Sequence, residues 1–307
     1  MKQHFLSVGE CMVELAQIGP ETYRRGFAGD TFNTAWYARR LLPKDWTVGY
    51  LSAIGEDAVS QEMRDFMAGV DIEIGALRVV PDRTVGLYMI STDAGERSFS
   101  YWRSNSAARS LADDSDFLAQ HLAKAGVLHF SGITLAILSP EHRKRLCDAI
   151  QTARAAGALV SFDTNLRPRL WEDTDTMCDG LTMGASVADV VLPSFDEDGA
   201  LFDDATPKDT IARYRDAGAG TVVVKNGAAP LVGYSENDGT FELRPDTVET
   251  VVDSTAAGDS FAAGLMSALA MGLALQDAVK RAMDLSAHVI QAPGALVPEI
   301  FEQGEET

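Results

Sequence analysis

From about residue 120 onward, short apolar runs alternate with segments whose apolar positions recur every three or four residues. The runs cover residues 127–130, 159–162, 187–192 and 221–224. Near-continuous runs of this length predict parallel strands covered on both faces. The helix starts between them are legible. Ser139-Pro140-Glu141 offers a capping hydroxyl, a proline at the first helical position and an acid in the first turn, and its helix is predicted to reach Gly157. Thr206-Pro207 repeats the signal before a helix ending near Gly218. Strand and helix in alternation predict an α/β fold: a doubly wound, mostly parallel sheet flanked by helices.

The first third has a different rhythm. Helices are predicted over residues 32–41 and 57–68. Residues 84–91 and 97–103 have the character of a hairpin turned at Asp93-Ala94-Gly95-Glu96, and residues 13–28 add further strand. The expectation is a small β-sheet lid, formed by about residues 13–30 and 76–105, within one domain spanning residues 1–307. There is no internal repeat or linker, and Glu302, Glu305 and Glu306 predict a frayed acidic end.

Composition narrows the function. With 307 residues, 46% of them hydrophobic, the chain buries about three quarters of its unfolded surface and needs no disulfide or zinc. Against 26 Lys plus Arg stand 45 Asp plus Glu, a formal net charge of −19. A field of that sign repels nucleic acid and anionic bilayers, so neither is expected as a partner. An anionic small ligand would need arginines placed against the chain's own field. Cys11, Cys147 and Cys178 are scattered and odd in number, which predicts reduced thiols and a cytoplasmic protein. The five histidines show no metal-ligand spacing. No apolar run reaches the roughly 18 residues of a membrane span, and MKQHFLSVGECMVEL turns polar too soon for a signal peptide.

In open α/β sheets, ligands bind beyond the carboxyl ends of the strands. There the sequence places Asp163, Asn165 and Arg167; Ser194 and Glu197; Lys225, Asn226 and Gly227; and Asp253-Ser254-Thr255-Ala256-Ala257-Gly258-Asp259. The last segment opens a helix. Its small residues let the backbone approach an anion at the positive helix end, and Asp259 stands in the first turn. An Asp there can also be a plain cap, although a cap alone does not require three small residues. Gly29-Asp30-Thr31-Phe32-Asn33 suits sugar hydroxyls, or else an ordinary N-cap at Asp30 or Thr31. In the lid, Tyr101 and Arg103 share one strand face, with Tyr88 nearby. They form either an aromatic ladder with an exposed ion pair, or a grip on a carboxylate. Neither a Walker A loop nor GxGxxG is present.

Asp253 to Asp259 (DSTAAGD) resembles the DTxGAGD signature of the ribokinase-like (PfkB) sugar kinases. Gly29 to Asn33 with Gly55-Glu56-Asp57 resembles their N-terminal signature, and Ser194 to Glu197 their NxxE element, with serine for asparagine. GECMVEL from Gly9, GDTFNTA from Gly29, YWR from Tyr101, SGITLAIL from Ser131 and RPRLW from Arg167 are similar to the sugar-acid branch, the 2-keto-3-deoxygluconate kinases.

The resemblance implies transfer of the ATP γ-phosphoryl group to the 6-hydroxyl of that acid. It makes Asp259 the base and the amides of Ala256, Ala257 and Gly258 the anion hole. Gly29, Asp30, Asn33, Tyr88, Tyr101, Arg103 and Arg167 become acceptor contacts, with Arg167 equally able to meet phosphate. Asp163, Asn165, Ser194, Lys225, Asn226 and Gly227 border the nucleotide with Ala257 and Gly258. Mg2+ is implied at Glu197 through water, and a monovalent cation, K+, near Asp253. The lid is expected to pair subunits into a homo-oligomer. Rival expectations are a neutral-sugar kinase and a non-catalytic sugar-acid sensor on the same fold.

Overall fold

The strand His4–Val8 is buried along nearly its whole length, and its alternate residues feed two cores. Phe5 packs into one with Phe32, Trp36, Phe261 and Leu265. Leu6 and Val8 enter the other with Leu118, Leu146 and Phe162. A strand hydrophobic on both faces belongs in the middle of a covered sheet, and there the computed structural model places it. The structure describes residues 2–93 and 96–302. Ala94 and Gly95 of the expected turn, and Glu305 and Glu306 of the expected tail, lie outside the described residues.

The main sheet has nine strands. From one edge they run Gly239–Leu243, Leu231–Ser235, Thr221–Val224, Val190–Leu192, Leu159–Asp163, Val127–Ser131, His4–Val8, Thr47–Ile54 and Leu77–Val79. All neighbours are parallel except the last two strands of the first edge, which return as an antiparallel hairpin. The chain starts at His4–Val8 and builds outward on both sides, so the order reverses between that strand and Val127–Ser131. Such a reversal leaves a crevice at the carboxyl ends.

A second sheet of four strands runs Thr22–Ala28, Met12–Gly19, Gly86–Asp93, Glu96–Trp102. Its two middle strands are parallel, with Glu14 opposite Tyr88, and Tyr88 lies opposite Tyr101 on the last strand. Two boundaries differ from expectation. Leu77–Val79 pairs with Thr47–Ile54 at the edge of the main sheet, so residues 76–85 connect the two sheets instead of joining the smaller one. The strand expected from Val187 begins at Val190, because the Val187 and Ala188 N–H groups bond back to Gly184 and Ala185 and finish the preceding helix.

The helices flank the main sheet. Pro140–Ala155 is capped by Ser139, and Pro207–Asp216 by a reciprocal Thr206–Asp209 pair, as their sequences predict. Asp30–Leu41 begins two residues earlier than expected, with Gly29 and not Asp30 or Thr31 at its cap. A Cβ on Gly29 would lie 2.1 Å from the Glu10 carbonyl oxygen, so only glycine allows the helix to start against that strand end.

Candidate active site

The carboxyl ends of the central strands, the starts of the helices Asp30–Leu41 and Ala257–Ala270, and the inner face of the small sheet enclose a cleft of about 1260 Å³. Gly29, Asp30, Asn33, Asp163, Asn165, Arg167, Ser194, Glu197, Lys225, Asp253, Gly258 and Asp259 line it from the main sheet. Tyr88, Phe99, Tyr101 and Arg103 line it from the small one. Ala256, Ala257, Asn226 and Gly227, also expected in the site, do not line the cleft. The first two lie behind it at the helix start, and the other two follow Lys225 in a turn where Asn226 donates to the Pro230 carbonyl at 3.3 Å.

Asp259 is buried in the first turn of Ala257–Ala270, whose N-cap is Ala256. It is no cap. Its Oδ2 accepts from Asn33 Nδ2 at 2.7 Å, and its backbone carbonyl accepts from Thr34 Oγ1 at 3.2 Å. Oδ1 has no protein donor among the described residues. Burial pushes the carboxyl well above its ordinary range, and the neighbouring charges of Asp30 and Asp163 push the same way. A carboxylate so placed binds a proton more readily than one in water. In the turn before it, the Ala257 N–H donates to the Ser254 carbonyl at 3.2 Å. The Gly258 and Asp259 N–H groups start the helix without a preceding turn to bond.

The neighbours divide into two groups. Asp30 Oδ2 accepts from Ser131 Oγ at 2.5 Å and from Asn165 Nδ2 at 3.0 Å. Burial raises Asp30 as well. Asn165, expected beside the nucleotide, lines the cleft and donates to Asp30, on backbone with φ of 31°. Tyr88 donates to Glu14, and Tyr88, Phe99 and Tyr101 form an aromatic row with centroids 6.0–6.4 Å apart.

On the other side, Lys225 Nζ donates to Asp163 Oδ1 at 2.9 Å. It also lies 3.4 Å from where a Gly258 Cβ would be, so its ammonium borders the helix start. Arg167 stands 3.6 Å from Glu197, both about half exposed. Burial raises the Glu197 carboxyl and Arg167 counters it. Asp253 accepts from the Thr255 N–H and O–H and from the Gly294 N–H, bracing the loop before the helix.

Arg103 pairs with Glu10, and both side chains are almost wholly buried. The arginine expected to be open for a ligand carboxylate therefore already has an acidic partner. Four further residues that sequence reading did not single out shape the site, although Glu10, Ser131 and Arg169 lie inside quoted motifs. Glu10 and Ser131 are two of them. Asp198, wholly buried, accepts from Thr164 Oγ1 at 2.8 Å, from the Ser194 N–H at 3.0 Å and from Tyr214, tying three segments together under the cleft. Arg169 lines the cleft, exposed and without an ion-pair partner among the described residues.

Residues 2–300 match the pfkB family carbohydrate kinase model. The chain belongs to the pfkB family of carbohydrate kinases. It is 38% identical over 304 residues to a 2-dehydro-3-deoxygluconokinase of Escherichia coli K12, covering 97% of this chain and 98% of that one. To its counterpart from Dickeya dadantii it is 37% identical over 297 residues, covering 95% and 96%. Among solved structures, a PfkB protein from Polaromonas sp. JS666 superposes with a TM-score of 0.85 at 30% identity, covering 97% of this chain and 99% of the other. The nine-stranded sheet with its smaller companion is the ribokinase-like fold. No described helix is long and apolar enough to cross a membrane.

Proposed function

We propose that this kinase transfers the γ-phosphoryl group of ATP to the 6-hydroxyl of 2-keto-3-deoxygluconate (2-dehydro-3-deoxygluconate), giving the 6-phosphate and ADP. The observation that carries the reading is Asp259, a buried carboxylate with one oxygen fixed by Asn33 and the other left to the cleft, at the positive end of a helix. Five relatives carrying the name of that activity, from 33% to 38% identical, support the acceptor.

Phosphoryl transfer leaves a protein little covalent work; alignment and charge stabilisation dominate. Asp259 Oδ1 takes the hydroxyl proton as the oxygen attacks phosphorus. The Gly258 N–H, with the Ala256 and Ala257 backbone behind it and Lys225 beside it, meets the charge on the transferred group. Asp30, held by Ser131 and Asn165, joins Asn33 and Gly29 in orienting the acceptor hydroxyls, and Tyr88 and Tyr101 supply the apolar wall. Arg103 meets the acceptor carboxylate. Arg167, beside Glu197, serves the phosphates with Ser194, Asp163, Asn226 and Gly227 at the nucleotide's border.

Among the described residues, no group of three acidic, histidine or cysteine side chains is placed to hold a metal ion by itself. That fits Mg2+, which binds through one or two carboxylates plus substrate phosphates and water. Glu197 would hold it, and the ion would neutralise charge on the phosphates. Asp253 marks the proposed place of a monovalent cation. The small sheet acts as a lid. Its inner face carries Phe99 and Tyr101 largely exposed, and Ile18 is exposed at the bulge of Met12–Gly19, apolar surface suited to the lid of a second copy.

The test is ADP release with Mg-ATP, run with and without K+, comparing 2-keto-3-deoxygluconate with fructose and ribose. A clear preference for the keto acid is expected. One observation favours a second reading: Glu10 already balances Arg103, as a neutral-sugar site would permit. A preference for fructose would install that reading, and turnover with none of the three would overturn both.

A further inference from the structure

Glu10 is 1% exposed and sits just past the central strand His4–Val8; Arg103 directly follows the last strand of the small sheet. Their pair therefore links the main sheet to the small one at the back of the cleft. It is close but incomplete. Glu10 Oε2 accepts from Arg103 Nη2, while Glu10 Oε1 and Arg103 Nε are buried with no hydrogen-bond partner. Buried polar atoms are rarely left so, and a pair that keeps two of them asks for a reason other than stability. The surroundings are built around the carboxylate. A Cβ on Gly86 would lie 2.9 Å from Glu10 Oε1 and 3.2 Å from the Arg103 Cβ, so glycine there makes room for both.

We propose that Glu10 is a positioning residue for acceptor recognition: pinned at Nη2, the Arg103 guanidinium is held flat at the lid base with its free edge toward the cleft. A guanidinium is a rigid planar fork, so fixing one nitrogen fixes the direction of the others. The cleft supplies a competitor. Asp30 lies close enough for Arg103 to favour its charged form, and Asp30 bears the acceptor side of the site. Without the Glu10 charge, Arg103 turns toward Asp30 and leaves the place of the acceptor carboxylate. The inference rests on the proposed sugar-acid reading.

The test is Glu10→Gln, which keeps the shape and one acceptor oxygen but removes the charge, assayed for both substrates in the wild-type and Arg103→Met backgrounds. The KM for 2-keto-3-deoxygluconate is expected to rise about tenfold, the size of a lost charged hydrogen bond. The KM for ATP and kcat should stay within about twofold, and the effect should vanish once Arg103 is methionine. An unchanged KM, an equal rise for both substrates, or the same rise in the Arg103→Met background would overturn the role. Should Glu10→Gln fail to fold, Glu10→Asp carries the same split and cycle, because its shorter side chain draws the carboxylate away from Arg103 Nη2 and so unpins the guanidinium. Native protein that ignores the keto acid would instead refute the reading beneath it, so the two failures are distinguishable.

Discussion

At the scale of single residues, Asp259 combines two conditions that pull against each other. Its charge is costly, since burial and two neighbouring acids favour the protonated form, yet Asn33 donates to one oxygen and supports the carboxylate. A base balanced this way takes a proton readily in the transition state and loses it once the product leaves. Asp259→Asn keeps an acceptor for Asn33 and removes the proposed base. Turnover is expected to fall by about a hundred- to ten-thousandfold, the usual share of a general base, with ATP affinity by calorimetry nearly intact. Lost ATP affinity in a folded variant would contradict the assignment. Asp259 was legible in the sequence because three small residues precede it, which no simple cap requires. Glu10 was not, because its partner lies 93 positions away and only the fold joins them.

At the scale of elements, legibility followed local chemistry. Helices announced by Ser139-Pro140 and Thr206-Pro207 lie where their caps put them. The edge hairpin Leu231–Ser235 and Gly239–Leu243 gave no comparable signal: the first strand is nearly all buried, but its outer partner holds no fully buried residue and includes the polar Thr240 and Glu242. Residues 76–85 were drawn to the wrong sheet because a strand of three residues carries no period long enough to read. The small sheet also carries a prediction. Ile18 is 63% exposed at the bulge where Met12–Gly19 pairs with Thr22–Ala28, and it does not line the cleft. Ile18→Asp places a charge in the proposed lid-to-lid contact. Sedimentation is expected to show a dimer or larger species for the native chain and a smaller one for the variant. A native monomer at micromolar concentration would end the pairing idea.

Across the whole molecule, the functional cleft and the stability of the sheet meet in one buried ring. His129 lies in the middle of Val127–Ser131, and its Nδ1 is 2.9 Å from Ser161 Oγ on the next strand; these two strands end in Ser131 and Asp163, both part of the site architecture. Burial lowers the imidazole to about 4 from an ordinary 6.5, despite an opposing pull from Asp163. The sign follows from proton uptake. Above pH 6.5 the ring is neutral folded or unfolded, and its contribution is complete. As pH falls from 6.5 toward 4, the unfolded chain takes a proton that the folded one refuses, so stability is lost, about 2 kcal/mol by pH 5. Asp198 acts in the opposite sense. Burial pushes it up to about 6, so between roughly pH 4 and 6 the folded state holds the extra proton and gains on acidification. The native melting curve therefore hides both terms, and a difference exposes one. His129→Gln removes the titrating ring while leaving a donor or acceptor for Ser161. The gap in melting temperature between native and variant should narrow steadily from pH 7 to pH 5, and parallel curves would show that His129 does not resist protonation in the folded sheet.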